Sequence, residues 1–124
     1  MKYAILIARI LLGLMFAVFG SNAFLHFIPM PPLEGRAGEF IGALLNSGYI
    51  YPIAALEVVG GLLLLLGARF VPLGLTVLGP VIVNIVLYHI FLDKEGLPMA
   101  GCISIFTLFL IWAYRDKFPA IFQP

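Results

Sequence analysis

Two side chains place full charges inside long apolar runs of this 124-residue chain, Arg9 and Glu57. An ionisable group surrounded by hydrocarbon costs a few kcal/mol or more, so each marks a candidate functional site by default. Glu57 stands near the middle of the apolar run at about 49–66, where a carboxyl group must be paired, hydrated or protonated. Gly60 and Gly61 follow it by three and four residues, one turn of helix, so a neighbouring helix can approach closely there. Arg9 heads a stripe of small residues, Gly13, Ala17 and Gly20, that should face protein. An arginine side chain is long enough for the two charges to be expected to meet. Two readings then stand side by side. In one, the pair is a buried ion pair that sets helix register, a specificity device more than a source of stability. In the other, Glu57 handles a proton or a ligand with Arg9 as its partner, and Asn84 adds a hydrogen bond.

The milder polar residues are Asn22, His26, Asn84, Tyr88 and His89. Asn22 and His26 are four apart, as are Asn84 and Tyr88, so each pair shares a helix face. On an ideal helix Asn22 and His26 point away from the Arg9 stripe by more than a quarter turn. The spacing therefore predicts two clusters: an inner one of Arg9 and Glu57, and an outer polar rim of Asn22, His26, Tyr88 and His89. Each histidine reads equally as an interfacial residue touching headgroups. Two histidines make a poor metal site, which needs three or four ligands in fixed geometry, and none is expected. The single cysteine, Cys102, excludes an internal disulfide and a C-x-x-C redox pair. It reads as inert packing.

The elements that position these residues follow from composition. Hydrophobic residues make up 63% of the chain and charged residues 10%, far from the balance of a soluble domain. The length allows one domain, 1–124. A net charge of +1 with no basic run gives no footprint for nucleic acid. A spanning helix needs about 20 apolar residues, and four segments meet or approach this, at about 3–28, 49–66, 71–92 and 97–114. The first should stop at Pro29, Pro31 and Pro32, which lack the N–H a helix needs, and Pro80 should kink the third. Asn22 preceding His26 is weakly echoed by Asn84 preceding His89, a coincidence more than a repeat. The first segment has features of a signal peptide, including Ser21-Asn22-Ala23, but it is too long and Arg9 interrupts it, so it reads as a retained span. Between the first two spans, Phe40, Ile41, Leu44 and Leu45 recur at helical spacing, predicting a short amphipathic surface helix over about 36–46. It reads either as a lid over the bundle mouth or as a connector resting in lipid. The fold class is thus all-α, an integral membrane four-helix bundle. Lys2, Arg69, Arg115 and Lys117, with Arg9 near them, fall on one side, against Arg36 and Lys94 on the other together with Glu34, Glu39, Asp93 and Glu95. The excess of basic residues predicts both termini in the cytoplasm of a multi-pass protein of the cell membrane.

Several stretches resemble the DoxX family of small four-helix bacterial membrane proteins. They are Ala8-Arg9-Ile10-Leu11-Leu12-Gly13-Leu14-Met15-Phe16 with Phe19-Gly20, Phe40-Ile41-Gly42-Ala43-Leu44-Leu45, and Glu57-Val58-Val59-Gly60-Gly61 continuing through Leu66-Gly67. The resemblance covers nearly the whole chain in length, helix count and the long first loop. It implies a bacterial inner membrane and a link to redox chemistry, since members include membrane subunits of thiosulfate:quinone oxidoreductase and proteins tied to thiol-oxidant defence. It brings no defined catalytic residues. Arg9 and Glu57 carry over only as the family's intramembrane charges, and the missing cysteine pair puts dithiol exchange within the chain in doubt. The leading expectation is therefore a membrane component of a quinone- or thiol-linked oxidoreductase system, with a quinone-like ligand in the bundle, a partner protein supplying electrons, and the chain alone or as a homo-oligomer. A small proton-coupled transporter or channel and a non-catalytic scaffold or assembly subunit are the alternatives.

Overall fold

The computed structural model describes residues 1–27 and 33–118. Five α-helices follow in order: α1 (Lys2–Leu25), α2 (Gly35–Ser47), α3 (Ile50–Leu66), α4 (Val71–Phe91) and α5 (Leu97–Ala113). Short 3-10 turns lead into α4 and α5, at Ala68–Phe70 and Lys94–Gly96. With these turns, α1, α4 and α5 are long and apolar enough to cross a membrane, while α2 and α3, bent at 90° to each other, pass the same test only as a pair. The protein is an integral membrane four-helix bundle with a short amphipathic helix in its first loop, as the sequence predicts.

The bundle closes as a ring in which α1 packs on α3, α3 on α4, α4 on α5, and α5 back on α1. At its centre Leu12, Phe16, Leu64, Val71, Leu78 and Leu110 are almost wholly buried. Outside the ring, large apolar side chains stand free, with Ile105 66% and Leu108 65% exposed. Only lipid suits such a surface, because it makes burial of those residues unnecessary.

The tightest seam is α1 against α3, and glycine makes it. A Cβ at Gly61 would lie 2.7 Å from both the Ala17 amide nitrogen and the Gly13 carbonyl oxygen. A Cβ at Gly20 would lie 2.9 Å from the Ala54 carbonyl oxygen. The two backbones therefore touch, and no side chain fits between them. The α3–α4 seam uses the same device more mildly: Gly60 leaves room for the Leu78 side chain, and a Cβ at Gly74 would stand 3.1 Å from the Gly60 carbonyl oxygen.

Three boundaries bear on the site. Helix α1 ends at Leu25, short of the expected 28, where His26 turns left-handed (φ 54°) and its N–H bonds the Asn22 carbonyl at 2.8 Å. The helix is thus closed by a local left-handed cap ahead of the proline cluster, and Ile28, Pro29, Pro31 and Pro32 lie outside the described residues. Between α2 and α3, Gly48 takes φ 80° and the Ser47 hydroxyl accepts the Tyr49 N–H at 3.2 Å, which makes the right-angle turn. Helix α4 runs unbroken through Pro80.

The seam leads to a direct test. Gly61→Ala should destabilise the bundle by about 1–3 kcal/mol, because backbone and not a flexible side chain must move. Gly42→Ala, where an added Cβ meets nothing within 4 Å, should be neutral or stabilising by up to about 1 kcal/mol. Thermal unfolding in a mild detergent, followed by circular dichroism, separates the two.

Candidate functional site

The α1–α3 seam fixes the level of every polar group on these helices. The helices are antiparallel, with Gly20 beside Ala54, Glu57 and Val58, and Gly13 beside Gly61 and Leu65. Glu57 therefore sits level with Gly20, its Cβ only 2.9 Å from where a Gly20 Cβ would be. Arg9 lies eleven residues earlier on α1, about 16 Å along the axis. That level is the turn at Gly67, where α3 ends. The expected meeting of the two charges does not occur. The sequence reading placed Arg9 beside Glu57 because both lie inside apolar runs. The antiparallel register, invisible to that count, carries them to different depths. The Arg9 Nε is buried without a hydrogen-bond partner among the described residues.

Glu57 is half-buried and faces the interior of the ring. On α3, Ala54 and Gly61 meet α1, while Gly60 and Leu64 meet α4. At 100° per residue, Glu57 projects between those two contact faces, toward the bundle axis. Its carboxyl group has no hydrogen-bond or ion-pair partner among the described residues. The serine and threonine hydroxyl groups of α4 and α5 are satisfied by their own helix. Thr76, Ser104 and Thr107 each donate to the carbonyl four residues back, at 2.8, 2.8 and 2.7 Å. Glu57 stands apart from these.

Asn84, the expected third member of the inner site, is not beside Glu57. It is exposed on the outside of α4, where its amide Nδ2 donates to the Pro80 carbonyl at 2.8 Å. Asn22, expected at the rim, is buried, and its level on α1 is within one turn of Glu57. Glu57 thus belongs with the rim end of the bundle and not with Arg9.

The rest of the rim is partly assembled. His89 is buried and its Nδ1 lies 2.8 Å from the Ile85 carbonyl oxygen. A carbonyl only accepts, so Nδ1–H is the donor in this contact. Tyr88 meets His89 edge-on with ring centres 5.0 Å apart, and Phe40 of α2 packs on Tyr88 at 5.7 Å. His26 is exposed and stands apart from this group. Phe40 thus gives α2 a contact on α4 at this end of the bundle. Gly96 and Phe24 carry no signal of a role in the amino-acid pattern around them. Gly96 presses on the His89 ring so closely that any Cβ there would overlap it. The loop after α4 is short and must fold straight back over residue 89. Phe24 and Tyr51, 5.4 Å apart, join the ends of α1 and α3.

The family model for DoxX matches residues 4–90, which span α1 to α4 and hold both charges and the rim. The chain belongs to the DoxX family. No curated relative and no solved structure was found to match it. Membership accords with the multi-pass architecture, and the match includes Arg9, Glu57 and the glycines of the α1–α3 seam in one continuous stretch.

The separation of Arg9 and Glu57 gives the second test. Sites more than about 10 Å apart and without a shared partner contribute additively. In a double-mutant cycle of Arg9→Gln and Glu57→Gln, the stability changes should add to within about 0.5 kcal/mol. A register-locking ion pair would instead show a coupling well above that.

Proposed function

We propose that this DoxX protein is the membrane component of a quinone-linked redox system, and that Glu57 is the group that meets the quinone head. The observation that carries the reading is the Glu57 carboxyl group. It is half-buried, turned to the bundle axis, and without a protein partner among the described residues. A polar group left unpartnered in an apolar interior costs about 1–3 kcal/mol. Such a cost is understandable where the missing partner is a ligand. A quinone suits the chemistry: its flat apolar body is compatible with an apolar bundle interior, and its carbonyl oxygens need one hydrogen-bonding group.

The chain's own residues would bind and orient the ring and hold or move a proton at the Glu57 oxygens. Reduction of a quinone to a quinol takes two electrons and two protons, and the electrons must come from a partner protein. Phe40 on Tyr88 places α2 over the end of the bundle nearest Glu57, where a lid can exclude water from the site. The termini are proposed to lie in the cytoplasm and the protein in the cell membrane. Support comes from the count of basic residues: Lys2, Arg69, Arg115 and Lys117 gather where α1 begins and α5 ends, against Arg36 and Lys94 at the other end.

The test is chemical. Lipid extracts of the purified protein should contain quinone well above the level of the surrounding detergent-solubilised lipid. Glu57→Gln should bind it about tenfold less, the loss expected for one hydrogen bond of about 1.4 kcal/mol. Unchanged helix content in the variant checks that the bundle is intact. Absence of quinone from the native protein, together with no quinone-dependent activity, sinks the reading. Proton-coupled uptake into liposomes that vanishes in Glu57→Gln would point to transport in its place.

A further inference from the structure

Asn84 has no part in the Glu57 site, and its own helix satisfies only half of its carboxamide. It lies seven residues from the end of α4 at Phe91, about 10 Å inside the span. It is exposed on the outer face of the bundle, so its carboxamide stands in hydrocarbon. One of its amide hydrogens is used within the helix, on the Pro80 carbonyl. The side-chain oxygen and the second amide hydrogen have no partner within α4. Pro80 and Thr76 precede Asn84 by four and eight residues, so all three share one stripe. Pro80 also lacks the N–H that the Thr76 carbonyl would normally receive, which leaves a second open acceptor on that stripe. The hydroxyl of Thr76 does not fill it, because it donates to the Pro72 carbonyl.

We infer that this stripe of α4 is the contact surface for a second copy of the chain, with Asn84 of each copy hydrogen-bonded to Asn84 of the other. The choice of a second copy rests on complementarity. Two copies inserted alike in one membrane are related by a two-fold axis along the membrane normal, so residues at equal depth meet. A carboxamide carries both a donor and an acceptor, and two of them facing across such an axis satisfy each other completely. A carboxylate or an ammonium at the same position would repel its own image. The stripe is open to an approaching helix: Pro80 and Thr76 are exposed beside Asn84, and Leu87, about 60° round the helix from Asn84, is 46% exposed. The surface lies on the opposite side of α4 from the bundle axis, so pairing leaves the Glu57 site untouched. The inference stands independently of the quinone reading.

The full chain carries one cysteine, Cys102, which is exposed and serves as a label site. Protein labelled there with donor and acceptor dyes and reconstituted into phosphatidylcholine bilayers should show energy transfer above that of randomly dispersed monomers. Asn84→Gln keeps the carboxamide and should retain the transfer. Asn84→Leu should weaken association about threefold to thirtyfold, the range for an interhelical hydrogen bond in a membrane. In a Cys102→Ser background, Asn84→Cys should cross-link to itself on oxidation, while Leu62→Cys on the outer face of α3 should not. Transfer at the monomer level in the native protein overturns the inference, as does unchanged association in Asn84→Leu. Cross-linking at Leu62→Cys in preference to Asn84→Cys would also overturn it, by placing the contact on another helix.

Discussion

The backbone contact between α1 and α3 sets the coordinates of everything else in this molecule. Gly13, Gly20 and Gly61 bring two helices together until amide and carbonyl groups touch. In a bilayer this is how helices gain packing energy, since lipid chains are as apolar as leucine and burial alone offers little. Contact at that distance permits few registers, because a small slide would drive Leu65 or Val58 into the opposing backbone. The register then fixes depth. It puts Glu57 level with Gly20 and Arg9 level with the turn at Gly67. It also rotates α3 so that Glu57 lies between the α1 and α4 contacts and looks into the bundle.

Much of this architecture was legible in the amino-acid sequence, because it rests on length and composition. Apolar runs of about 20 residues set the spans, and Phe40, Ile41, Leu44 and Leu45 at helical spacing set the surface helix, found at Gly35–Ser47. The candidate site was legible only in part. Glu57 could be singled out because a carboxyl group inside an apolar run is conspicuous. Its supposed partnership with Arg9 could not be judged from the run, because depth along a span depends on how the helices slide past one another. Asn84 shows the same gap in rotation. Its distance from the helix end was readable, but the face it takes depends on whether α3 and α5 pack against residues 78 and 82 or against 80 and 84. The seam glycines were visible as small residues. That Gly61 meets Ala17 and Gly13 was not.

The polar groups of the spans divide by how they are satisfied. Thr76, Ser104, Thr107 and His89 each bond a carbonyl four residues back within their own helix. They therefore make no demand on a neighbour. Glu57, the Arg9 Nε and the free half of the Asn84 carboxamide are left over. They lie in three separate places: the bundle axis, the level of the α3 terminus, and the outer face of α4. A single ligand cannot serve all three. The distribution argues for separate tasks, with ligand chemistry confined to the interior and association to the outside.

Arg9 then needs an account of its own. It lies at the level where α3 ends in Gly67 with φ 167°. The last carbonyls of a helix have no intrahelical donor and carry the negative end of its dipole. A guanidinium beside them is stabilised without any carboxylate, by charge and by proximity to groups that lack donors. The stripe of small residues running up from Arg9 draws α3 against α1 along the seam. The glutamate ten residues before Gly67 is held at its depth by the seam glycines, independently of the arginine.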